Sequence, residues 1–198
     1  MERAYKLEFA GEQAGSLYVS CCGLSKTEPL HSFGSAQKPY YLIHYVLRGK
    51  GRFSLRNQEF QLSSGNGFLI PPEELSFYQA DEKEPWTYIW VGFHGESAER
   101  ILQNIGLTVT NPVFSSERSD ELYQAVKDMM EHNTYGISNE LRRNGQLQMF
   151  LSLIADGVTI QEHGEVDRAD HYVERAIVYI RSNYCNPIRV TDVADYVC

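Results

Sequence analysis

The hydrophobic period of this 198-residue chain changes near residue 95, and no other feature restricts its fold as much. Before that point apolar side chains mostly follow a period of two, as in strands; after it they recur every three or four residues, as in helices. In "YYLIHYVL", Tyr40, Leu42, His44 and Val46 share one face and Tyr41, Ile43, Tyr45 and Leu47 the other, so both faces read as buried. "RGKGR" then reads as a hairpin turn in which Gly49 and Gly51 are free to take φ > 0. Short strands follow at "FSL", "EFQL", "GFLI", "LSFYQA" and "WTYIWVGF", separated by the turn chemistry of "RNQ", "SSGNG", "PPEE" and "DEKEP". Strands of this length and spacing, with Gly and Pro breaks, predict a barrel or sandwich.

Beyond Glu96, Ala98, Ile101, Leu102 and Ile105 predict a helix that ends at Gly106. A second helix is read from Ser119 to His132, with Leu122, Ala125, Val126, Met129 and Met130 on one stripe. A third runs from Ser138 to Asp156, where Leu147, Phe150, Leu151 and Ile154 form one face that Met149 and Leu153 widen. So broad a stripe suits a helix packed on two sides, against the barrel and against a second subunit. "QEHGEVDRAD" is charged and aperiodic and reads as a linker. A fourth helix begins near Asp170, with Val173, Ala176, Ile177, Ile180 and Tyr184 on one side, and stops at "NYCNP". Thr191 is placed to cap a last helix carrying Val193, Ala194 and Val197, of which only about two turns are present.

Hydrophobic residues make up 42% of the chain, enough for a real core. No stretch approaches the ~20 apolar residues of a membrane span, and "MERAYKLEFAGEQAG" has no apolar signal region, so a cytoplasmic location is the default expectation. Net charge is −8, which disfavours a phosphate-binding surface; "LRRNG" and "YIRSN" are the only basic clusters and read as solvated helix faces. The four cysteines have no CxxC spacing, and Cys21 and Cys22 on one strand would point to opposite faces, so reduced structural thiols are expected.

In "PWTYIWVGFHG", Trp86, Tyr88 and Trp90 share one face of a strand while Thr87, Ile89, Val91 and Phe93 share the other. Either the aromatic face is plain core, or it lines a barrel cavity where flat rings with polar edges suit the faces of a sugar. His31, His44 and His94 invite a metal reading, but the paired histidines and following carboxylate of a metal-binding barrel are missing. His44 therefore reads as a pocket or core histidine with hydrogen-bonded ring nitrogens. No nucleophile elbow, phosphate loop or GxGxxG is present, and Glu73 and Glu74 lie in a turn. The sequence implies no enzyme activity, cofactor or metal.

Three stretches, "PYYLIHYVLRGKGRF", "GNGFLIPPEELSFYQADEKEPWTYIWVGFHG" and "HYVERAIVYIRSNYCNPIRVTDVADYVC", together resemble the AraC-type family of bacterial transcription regulators. The resemblance implies an α+β fold: a cupin-like double-stranded β-barrel, or jelly roll, followed by helices. It divides the chain into an effector-binding barrel at 1–95, a helical dimerisation region at 96–160, a linker at 161–169 and the start of a DNA-binding domain at 170–198. By position, Tyr78, Tyr88 and Trp90 look like the sugar contacts of the family's arabinose-responsive member, and His44 joins them as a candidate pocket histidine. Lys38 stands where the family often has arginine, offering an ammonium in place of a bidentate guanidinium. The implied partners are a small-molecule effector, a sugar by the members it most resembles, a second copy of the chain, and DNA only for a longer parent carrying the rest of two helix-turn-helix units. The rival expectations are a cupin-type metalloenzyme and a stand-alone carbohydrate-binding barrel.

Overall fold

The computed structural model describes residues 3–9, 16–157 and 166–197, which fall into two compact units, Met1–Val158 and Thr159–Cys198. In the first unit the strands are β1 (Arg3–Glu8), β2 (Tyr18–Lys26), β3 (Ser32–Ala36), β4 (Tyr41–Arg48), β5 (Lys50–Leu55), β6 (Gln58–Ser63), β7 (Asn66–Ile70), β8 (Ser76–Ala80), β9 (Thr87–His94) and β10 (Val113–Ser115). Helices α1 (Ala98–Asn104), α2 (Ser119–Glu131) and α3 (Ile137–Ala155) complete it. All strand pairs are antiparallel and form two sheets, β1-β2-β9-β4-β7-β10 and β3-β8-β5-β6. The architecture is the expected α+β cupin-like jelly roll with helices following.

Alternation along β4 and β9 divides the interior into two cores. Leu42 and Val46 of β4, with Tyr88 and Trp90 of β9, pack against Phe53, Leu55, Leu62 and Tyr78 of the smaller sheet and fill the barrel. Ile43 and Tyr45 of β4, with Ile89, Val91 and Phe93 of β9, face outward and are covered by Leu102 of α1, Val126 and Met129 of α2, and Leu147, Phe150 and Ile154 of α3. Cys21 and Cys22 divide between the two cores as neighbours on a strand must. Both are free thiols, as is the exposed Cys185. Burial drives the Cys22 thiol up to about 12.

Four local readings change. "RGKGR" is no hairpin: β4 ends in the larger sheet and β5 starts in the smaller, so this segment carries the chain between sheets. Gly49 has φ +76°, but Gly51 is required because the Trp86 ring lies on it, with Trp86 Cζ3 only 2.5 Å from where a Cβ would stand. β10 lies past residue 95 yet pairs with β7, so the barrel recruits chain from beyond the change of period. In "LRRNG", Arg143 and Asn144 are buried rather than solvated. Arg143 Nη1 donates to the carbonyls of His132 at 2.6 Å and Thr134 at 3.3 Å, and its guanidinium lies 4.2 Å from the centroid of the Phe9 ring. Asn144 Oδ1 accepts the Val19 amide at 3.1 Å, beside a bulge in β2. Met149 is exposed, so only Leu153 widens the buried face of α3.

In the second unit, α4 (Val166–Asn183) starts four residues before the expected Asp170, within the expected linker; positions 161–165 of that linker lie outside the described residues. It pairs with α5 (Val190–Val197). Thr191 is inside α5 and is not its cap; Asp192 Oδ2 instead accepts the Arg189 amide at 2.8 Å. Tyr196 packs on Tyr179 with centroids 5.0 Å apart, and Arg175 donates to the carbonyl of Val197 at 3.1 Å and to that of Tyr196. Positively charged nitrogen at a helix C-terminus satisfies carbonyls that lack intrahelical donors.

Candidate functional site

Between the two sheets lies a cavity of about 250 Å³, and all five residues singled out from the sequence, Lys38, His44, Tyr78, Tyr88 and Trp90, line it. Pairing accounts for the convergence. His44 lies opposite Trp90 in the β4–β9 register and two residues from Val46, which lies opposite Tyr88, so one face of the larger sheet presents all three side chains. Tyr78 comes from β8 in the smaller sheet. Seven further residues complete the lining: Lys6 of β1, Cys21 and Ser25 of β2, His31, Phe33 of β3, Tyr40, and Leu42 of β4.

Burial separates floor from rim. Cys21, Ser25, Leu42, His44, Tyr78, Tyr88 and Trp90 are buried; Lys6 and Phe33 are exposed and His31, Lys38 and Tyr40 half-buried. His44 is 1% exposed. Its ring stacks on Phe68 at 4.6 Å and 6° between planes, with Tyr78, Tyr88 and Trp90 centroids at 5.0, 5.2 and 6.4 Å. Desolvation in this aromatic cage pushes its pKa from 6.5 down to about 3, so the ring is neutral at physiological pH.

The expectation that both His44 ring nitrogens are hydrogen-bonded fails. Nδ1 is buried without a hydrogen-bond partner among the described residues, and so is the Ser25 hydroxyl on the same cavity wall. A buried polar group without a partner costs roughly 1–3 kcal/mol, and both atoms belong to residues that line the cavity. Trp90 forms an apolar wall. It lies against Gly23, where a Cβ would come within 2.3 Å of the indole Cζ2, so the glycine lets the ring lie flat on β2. At the rim, Lys38 Nζ sits 5.1 Å from the Phe33 centroid and Lys6 pairs with Glu8. Tyr40 is held above the ordinary phenol range by burial and by the Cys21 thiol.

A larger polar groove, about 720 Å³, runs past Asn66, Ser115, Arg118 and Asp156, but these groups satisfy one another: Arg118 pairs with Glu121 and Asp156, and Asn66 Nδ2 donates to Ser115. Among the described residues no group of three or more His, Cys, Asp or Glu side chains is placed to hold a metal ion. His31 and His44 both line the cavity, whereas the His94 ring lies tilted against Tyr18 at 5.8 Å and edge-to-face with Tyr40 at 5.6 Å.

Sequence reasoning missed β1 and β2, and with them Lys6, Cys21 and Ser25. Tyr40 and Leu42 were in reach, since period two already put them on the face of His44; Phe33 and the role of His31 depend on how β3 closes over the barrel, which no local pattern records.

The fold and cavity define a cupin-like barrel built to enclose a small ligand. The model of the family described as AraC-like ligand binding domain matches residues 18–151, and the chain belongs to that family. It is 32% identical over 181 residues to the Msm operon regulatory protein of Streptococcus mutans, covering 90% of this chain and 65% of that protein. Identity is 23% to the raffinose operon transcriptional regulatory protein RafR of Pediococcus pentosaceus, covering 83% and 60%, and 22% to the lactose operon transcription activator of Staphylococcus xylosus, covering 89% and 64%. The chain thus spans under two thirds of the length of each of these relatives. They are regulators of operons. No helix among the described residues is long and apolar enough to cross a membrane.

Proposed function

We propose that these residues form the saccharide-sensing and dimerising part of an AraC-type transcription regulator of a carbohydrate-utilisation operon, and that the cavity is the effector site. The observation that carries the reading is one cavity lined by the rings of Tyr88 and Trp90 together with His44 and Ser25, two buried residues whose Nδ1 and Oγ have no hydrogen-bond partner among the described residues. A pyranose ring needs that combination, because its faces are apolar and its edge is a ring of hydroxyls. Neutral His44 both donates and accepts, so it serves a hydroxyl in either direction. The raffinose and lactose operon regulators among the relatives support a saccharide over other small polar molecules.

Two copies associate through α2 and α3, whose outward face exposes Tyr123, Ile137, Leu141 and Met149. The division into a barrel at 1–95, a dimerising region at 96–160, a linker and a DNA-binding segment is adopted with β10 added to the barrel and the last segment beginning with α4 at Val166. The effector acts by binding unequally to two arrangements of the dimer, which changes how the DNA-binding parts are presented.

A thermal-shift screen against mono- and oligosaccharides, repeated with Trp90→Ala, tests the reading. A saccharide at ~100 times its Kd stabilises by about 2.7 kcal/mol, which raises Tm by roughly 5–10 °C in a protein of this size. The shift is expected with at least one saccharide and is lost in Trp90→Ala. A panel without any shift, or a shift unchanged in the variant, refutes the assignment.

A further inference from the structure

We infer that Asn144 of α3, which is not part of the cavity lining, is a positioning residue for the cavity: it holds a bulge in β2, and that bulge decides which β2 side chains face the ligand. Its bearing on ligand binding rests on the saccharide reading above.

Along β9 the alternation is unbroken: Tyr88 and Trp90 belong to the barrel core, Ile89, Val91 and Phe93 to the core beneath the helices. β2 pairs Val19 with Phe93 and then Cys21 with Gly92, so Ser20 is one extra residue in the ladder. Val19 faces the helices. Strict alternation from there would turn Cys22 and Leu24 to the cavity and Cys21, Gly23 and Ser25 to the helices. The structure has the reverse. Cys21 and Ser25 line the cavity and Gly23 lies under the Trp90 ring, while Cys22 and Leu24 pack beneath the helices. β1 follows the same phase: Lys6, opposite Gly23, lines the cavity, and Leu7, opposite Cys22, packs on the helical core. One extra residue therefore puts Ser25 on the cavity wall and gives Trp90 the glycine it lies on.

A bulge disrupts the ladder locally, so its backbone groups need partners from elsewhere. The Ser20 carbonyl accepts the Phe9 amide at 2.9 Å, and the Val19 amide donates to Asn144 Oδ1 at 3.1 Å in a buried contact. Asn144 is 7% exposed in the interior of α3, where asparagine is a poor helix former. Leucine is close to it in size and offers no acceptor, so it would leave the Val19 amide buried and unpaired. The oxygen is what β2 requires of this position, and through it α3 fixes the phase of a cavity wall that it does not itself line.

Nuclear magnetic resonance on the whole chain, in wild type, Asn144→Leu and Asn144→Asp, tests the positioning role without a ligand. In wild type the Gly23 α-protons are expected to show an Overhauser contact with the Trp90 ring, and the Val19 amide to be protected from exchange. In Asn144→Leu that contact is lost, and the Val19 amide exchanges about tenfold faster relative to the Ile43 amide of the same protein, which corrects for any change in global stability. Asn144→Asp is isosteric and keeps the acceptor, so it keeps both signals. Calorimetric titration with lactose and raffinose supplies the binding arm: whichever binds wild type binds Asn144→Leu about tenfold more weakly and Asn144→Asp as wild type. Should Asn144→Leu not fold, Asn144→Ala carries the same comparison. A folded variant that loses only Tm, with the Gly23–Trp90 contact and the affinity intact, overturns the positioning role and leaves the cavity assignment standing. If neither sugar binds wild type, the saccharide reading loses its support, and the exchange and Overhauser signals alone decide what Asn144 does.

Discussion

Replacing His44 by asparagine should remove a specific part of the protein's acid sensitivity. In the folded chain burial lowers the His44 pKa to about 3, against 6.5 ordinarily. Between those values the unfolded chain binds a proton that the folded chain refuses, so stability rises with pH across the window and is lost as pH falls from about 6.5 toward about 3. Each pH unit inside the window is worth about 1.4 kcal/mol, so acidification to about pH 4.5 costs wild type on the order of 2–3 kcal/mol through this one group. The groups around the ring, Phe68, Tyr78, Tyr88 and Trp90, carry no charge in that range, so nothing beside it offsets the cost. Other acid-sensitive groups, including Glu74 held down by Arg56 and half-buried His94 held down by its own desolvation, are common to both proteins and cancel in the comparison. Urea unfolding followed by tryptophan fluorescence at about pH 7, 5.5 and 4.5 measures the gap between wild type and His44→Asn. The gap should move in the variant's favour by about 2–3 kcal/mol across the series. A gap constant to about 0.5 kcal/mol would refute a neutral, desolvated His44.

Two other predictions follow from the helices. Arg143→Met removes the donor to the His132 carbonyl, leaves the Thr134 carbonyl only Asn139 Nδ2 at 3.4 Å, and takes the cation from the Phe9 ring, at a cost of about 2–3 kcal/mol and roughly 5–10 °C in Tm by differential scanning calorimetry. An unchanged Tm would show that this buried guanidinium contributes nothing. If α3 packs against a second copy, light scattering on the 22.7 kDa chain should give twice that mass, and Leu141→Glu with Met149→Glu should return it to the monomer value. A monomeric wild type would contradict the dimer.

The parts of the fold and site that were legible in the sequence are those decided by local periodicity. Alternation in "YYLIHYVL" and "WTYIWVGF" assigned each side chain of β4 and β9 to its face, and that assignment was enough to bring His44, Tyr88 and Trp90 together. The apolar stripes of α2 and α3 were equally plain. What stayed hidden depends on partners distant in sequence. The middle of β2, Ser20 to Gly23, holds only small residues, and Gly23 lies under the Trp90 ring, so that stretch lacks the large side chains that mark a strand. β10 has three residues and is strand only because β7 is there to pair with it. Arg143 looks like a surface charge until the end of α2 and Phe9 close around it. The unpartnered state of His44 Nδ1 is a property of the assembled cage and has no trace in local pattern.

The central claim, that the cavity between the sheets is a saccharide effector site, is tested most directly by a crystal structure of the chain with the saccharide giving the largest thermal shift. A sugar ring is expected in the cavity against Trp90, with hydroxyls within hydrogen-bonding distance of His44 Nδ1 and Ser25 Oγ. A saccharide bound elsewhere, with those two atoms still unpartnered, would contradict it.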